Sequence, residues 1–118
     1  MLDNTSFNNI LLSILSTYVR DKDRFPNQAE LIVGFKNAII EVFNGETLSD
    51  SQINSIKACA AISKSEIFNS ELKPKIKKLA EGMLVKNPVG YEEIISALAR
   101  YGILYEDKSV DFIKKYLK

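Results

Sequence analysis

The sequence predicts an all-α protein, a compact bundle of five to six short helices in a single domain spanning residues 1–118. Three observations predict it. Apolar residues recur at the i, i+3, i+4, i+7 spacing of a buried helix face along almost the whole chain. Nowhere does apolar–polar alternation persist long enough to make a strand. Helix start and stop residues fall between the periodic segments, as in Ser49-Asp50-Ser51-Gln52 and Asn44-Gly45. A length of 118 residues suits one domain with its own core, and 46% hydrophobic with 26% charged residues is ordinary globular composition.

The first helix is expected from about Ser6 to about Lys22, capped by Thr5 or Ser6. Phe7, Ile10, Leu11, Ile14, Leu15 and Tyr18 form its apolar face, and Leu12 and Val19 widen it. Asn8, Asn9, Ser13, Ser16 and Thr17 make up the polar remainder. Phe25-Pro26-Asn27 then breaks the chain, because proline pushes the preceding residue out of the helical region and Asn27 is a good N-cap.

The second helix runs from there to about Phe43 and stops at Asn44-Gly45. Leu31, Phe35, Ala38, Ile39 and Val42 make one stripe, and Val33 and Ile40 lie on nearly the opposite side. A helix apolar nearly all round is usually buried, so this one is expected to be the central element. Ser49-Asp50-Ser51-Gln52 opens a third helix with a capping box, and Ile53, Ile56 and Ala60 give its inner face. Ile67 and Phe68 can form a helical turn on the core.

A fourth helix is expected from about Lys73 to Val85, with Pro74 in its first turn and Ile76, Leu79, Ala80, Met83 and Leu84 facing inward. Asn87-Pro88-Val89-Gly90 ends it. A fifth runs from Tyr91 to Tyr101, stopped by Gly102, with Glu92 and Glu93 in its first turn. A short last helix, Val110 to Leu117, is capped by Ser109.

Composition argues against catalysis. The chain has no histidine, the side chain most often used for acid–base work and metal ligation near neutral pH. Cys59 stands alone in an alanine-rich stretch, which suits a small core residue better than a nucleophile. Asp21-Lys22-Asp23 begins like a calcium loop, but Phe25, Pro26 and Ile32 occupy positions that need a ligand, a glycine and a closing acid. The glycines at 34, 45, 82, 90 and 102 make no nucleotide-binding motif. Neither a catalytic residue, a cofactor nor a metal is expected.

Two surfaces remain. The first helix is apolar over an arc of roughly 200°, about twice what a surface helix needs, and the second has the surplus stripe at Val33 and Ile40. A bundle this small covers both with difficulty. The expectation is an interface formed by Leu12, Val19, Val33 and Ile40, with another protein or a second copy of the chain as partner. The chain would then be a small helical binding protein, such as an inhibitor, immunity factor, adaptor or assembly subunit.

The alternative is a nucleic-acid-binding module. Residues 1–59 carry five Lys/Arg against seven acids, and residues 60–118 carry eleven against eight. Lys73, Lys75, Lys77, Lys78, Lys114 and Lys115 would supply the phosphate contacts. A net charge of +1 gives that reading little electrostatic reach. Partial pairing, of Glu71 with Lys75 and of Lys77 with Glu81, favours a solvated helix face instead. Glu92 to Lys118 lacks the apolar spacing of a standard helix-turn-helix. The N-terminal apolar stretch has no basic leader, no window is long enough for a membrane span, and the lone cysteine argues for no disulfide. A cytoplasmic location without membrane contact is the expectation.

Overall fold

The computed structural model describes residues 2–42, 47–80 and 88–103. These form an all-α bundle: α1 (Asn4–Lys22), α2 (Gln28–Val42), α3 (Asp50–Ile62), α4 (Glu66–Ala80) and α5 (Pro88–Arg100), with no strand among the described residues. The expected sixth helix, Val110 to Leu117, lies outside the described residues, as do the Asn44-Gly45 stop and the tail of the fourth helix through Met83 and Leu84.

Each helix start has a local cause. Asp3, rather than Thr5 or Ser6, caps α1, its Oδ1 accepting from the Ser6 N–H at 2.7 Å, so the helix starts two residues earlier than expected. Asp23 closes α1 in the left-handed conformation, its N–H donating to the Val19 carbonyl. Asn27 caps α2 reciprocally. Its Oδ1 accepts from the Glu30 N–H at 2.9 Å, and Glu30 Oε1 accepts from the Asn27 N–H at 2.9 Å. The Ser49–Gln52 capping box opens α3 as the sequence predicts.

Sequence and structure part at α4. The helix begins at Glu66 after Ser65, so Phe68 belongs to its first turn and Pro74 sits in its interior. Pro74 cannot donate to the carbonyl one turn back. Phe68, Leu72 and Ile76 are nonetheless fully buried, and their packing holds the helix through the proline. Likewise Pro88 begins α5 instead of ending the element before it, which puts Glu92 and Glu93 beyond the first turn. Gly102, at φ +73°, ends α5. Its N–H donates to the Ala99 carbonyl and that of Ile103 to the Leu98 carbonyl, the Schellman pattern, with Leu98 and Ile103 both buried.

The order of packing corrects the expectation for α2. α1 lies between α2 and α4; α2 also packs on α3, and α4 on α5. The central helix is therefore α1, which buries Phe7, Leu11, Leu15 and Val19. Asn8, expected on its polar side, is also buried. α2 contributes Leu31, Phe35 and Ile39 to the core and leaves its other side open. Phe7 stacks on Phe35, and Phe25 and Tyr101 both pack on Phe68, so aromatic contacts link α1 to α2 and α4 to the end of α5.

One buried amide ties the N-terminus down. Gln52 Nε2 donates to the Leu2 carbonyl at 2.8 Å and to Asn4 Oδ1 at 3.2 Å, while Gln52 Oε1 accepts from the Ser49 N–H. The Leu2 N–H in turn donates to the Thr47 carbonyl.

Candidate functional site

The outward face of α2 is set by what holds the helix in place. Leu31, Phe35 and Ile39 turn inward. Gly34 faces Ile14 of α1, and a Cβ at Gly34 would lie 2.8 Å from Ile14 Cδ1, so the two helices approach closely there. At the N-terminal end, Arg24 grips the Glu30 carboxylate with two hydrogen bonds of 2.7 and 2.9 Å and lies over the Tyr18 ring. That fork and the Asn27 N–H hold the Glu30 carboxyl down to about 2.

With the helix fixed this way, Val33 and Ile40 must point outward. They are 56% and 70% exposed. Seven residues apart, they lie two turns along nearly the same line, with Lys36 between them. Ile32 is 42% exposed and sits beside this line, toward α3.

Between α2 and α3 runs an apolar groove of about 260 Å³. Ile39 and Ile56 form its floor and Ile32 and Ile53 its edges; Lys36 of α2 and Lys57 of α3 also border it. Leu48 and Gln28 also line it. Ile53, expected on the inner face of its helix, is 38% exposed and stands on the edge of this groove. Ile32 belongs both to the groove and to the margin of the Val33–Ile40 line, so the two features form one continuous surface.

The four expected interface residues therefore divide. Val33 and Ile40 stand on the surface. Val19 is 1% exposed, because α1 is central and covered on both sides, so it cannot join a surface patch in this fold. Leu12 is partly buried against the core, about 160° round α1 from Ile14, which marks the side facing α2. It belongs to a different side of the bundle. Groove residues Ile32 and Ile53 were missed by sequence reasoning. Periodicity puts Ile53 on the inner face of its helix and Ile32 between the two sides of α2, and only the packing of α2 on α3 reveals that both lie at the edge of a groove.

The basic cluster is less open than its composition suggests. Lys73, Lys75, Lys77 and Lys78 all lie on α4. Lys73 Nζ is 3.2 Å from Asp23 Oδ1, and Lys75 is partly buried. Glu71 approaches Arg100 at 3.9 Å rather than pairing with Lys75. Lys77 and Lys78 are exposed, while Lys114 and Lys115 lie outside the described residues.

Cys59 is fully buried, and burial pushes its thiol up to about 12, far from a nucleophile's range. Asp21 pairs with Arg20. Among the described residues there is no group of three or more His, Cys, Asp or Glu placed to hold a metal ion. No described helix is long and apolar enough to cross a membrane. No protein-family model, curated protein or solved structure matches the chain.

Proposed function

We propose that this chain is a small helical binding protein that acts without catalysis, through apolar contact made by the outward face of α2. The observation that supports it is the exposure of Val33 and Ile40 on one line of a well-anchored helix, flanked by Ile32. Single exposed apolar residues are common on protein surfaces and need no explanation. Contiguous exposed apolar surface favours an interface, and here Ile32 joins the Val33–Ile40 line to an apolar groove. Binding also needs only surface shape and buried anchors, which suits a chain without histidine.

The partner is another protein or a second copy of the chain, and the role is that of an inhibitor, immunity factor, adaptor or assembly subunit in the cytoplasm. Sedimentation at micromolar concentration separates the two partners. A second copy gives a concentration-dependent mass; a different protein leaves the isolated chain monomeric. In the second case, affinity capture from the native host is run in parallel with wild type and with Ile40→Asp. A protein retained by wild type and lost by the variant supports the proposal. Equal retention by both rejects the α2 face as the site.

A further inference from the structure

The groove between α2 and α3 has the chemistry of a receptor for one kind of element. Its floor and edges are isoleucines from both helices, and among the described residues its charged ones, Lys36 and Lys57, come one from each helix. Among the described residues neither lysine forms an ion pair. No carboxylate lines the groove among the described residues. A cation on each of the two helices that form an apolar channel calls for an occupant with an apolar stripe and acidic flanks.

Size narrows the choice. A volume of about 260 Å³ stands at the small end of ligand clefts and cavities, which run to roughly 300–1,000 Å³. It suits a few side chains entering from outside. The lining on α2 spans Gln28 to Ile39, about 16 Å at the helical rise. That length accommodates the i, i+3 or i+4, i+7 anchors by which an amphipathic helix docks into a groove. A second copy docked on the same face about a two-fold axis would bring this lysine-bearing surface against itself, an unfavourable match.

We propose that the α2–α3 groove receives the apolar face of an acidic amphipathic helix from a partner protein, with partner carboxylates meeting Lys36 and Lys57. This rests on the protein-binding function proposed above and names the chemistry of the partner.

The test is a phage-displayed library of helix-forming peptides, selected in parallel on the full chain and on the double variant Lys36→Glu/Lys57→Glu. Wild type should enrich amphipathic sequences with Asp or Glu flanking the apolar stripe. The double variant should enrich Lys or Arg at those flanks, and should bind the wild-type winners about ten-fold more weakly. Ile53→Asp and Ile32→Asp, both checked for native circular dichroism, should each abolish binding of the winners. Winners without acidic bias would overturn the acidic occupant and leave the apolar protein contact standing. Winners indifferent to both Asp variants, or no enrichment at all, would overturn the groove as the docking site. The outward face of α2 is tested separately, by the Ile40→Asp comparison.

Discussion

Phe7 of α1 stacks on Phe35 of α2, with ring centroids 5.0 Å apart and planes 19° from parallel, and both rings are fully buried. This pair joins the central helix to the helix that carries the candidate surface. A displacement of α2 would carry Val33 and Ile40 with it.

Phe35→Ala should therefore cost about 3–5 kcal/mol in chemical denaturation, the range for truncating a buried phenylalanine. The stacked neighbour adds to this, because such pairs are worth about 0.5–1.5 kcal/mol beyond burial. A loss below about 1 kcal/mol would mean the ring is not in the core.

Gln52→Ala should destabilise by about 1–3 kcal/mol, because it leaves a buried carbonyl without its donor. The deleted amide binds the Leu2 carbonyl and Asn4 across fifty residues of chain. Amide hydrogen exchange should show the loss of protection concentrated at the start of α1 and at the α2–α3 connection. A uniform loss across the bundle would contradict a tethering role.

What was legible in the sequence was what depends on near neighbours along the chain. Asn27, Ser49 and Gly102 act where their types predict, since a cap is satisfied within a few residues. Phe35 was legible because its stripe is the broadest on α2. The placing of whole helices was not. An apolar girdle around α2 suggests burial, but periodicity cannot say how many sides the neighbours cover. Here α1 takes the central position, buries Val19 and leaves Val33 and Ile40 outside. Pro74 misled in another way: its preference for a first turn set the expected start of α4 at Lys73, whereas Phe68 and Leu72 extend the helix backward to Glu66. Half of the expected interface thus reaches the surface, and the groove that adjoins it required the packing of α2 on α3.

Acid should weaken the Arg24–Glu30 clasp in a defined window. The folded carboxyl is held down to about 2, against an ordinary value of 4.5, chiefly by the Arg24 fork and then by the Asn27 N–H. A lowered folded value means the stabilisation is fully present above about 4.5 and is lost as pH falls through that value toward about 2. The stability gap between wild type and Glu30→Gln should be widest near neutral pH and close across that window. A gap independent of pH would remove the clasp from the account.

Cys59 should be inert to an aromatic disulfide reagent in the native state. Its thiol is fully buried and pushed up to about 12, so both access and thiolate are lacking. Labelling should track unfolding as denaturant rises, and reductant should leave the melting temperature unchanged. Rapid labelling of the folded protein would show that α3 opens locally.

The most direct test of the central claim compares Val33→Asp and Ile40→Asp with wild type, measuring stability and association on the same samples. Both positions are more than half exposed, so each variant should keep its helical spectrum and lie within about 0.5 kcal/mol of wild type, as surface substitutions usually do. Association, whether self-association in sedimentation or retention of the host partner, should be lost. Variants that unfold would place both residues in the core, and folded variants that associate like wild type would place the interface elsewhere.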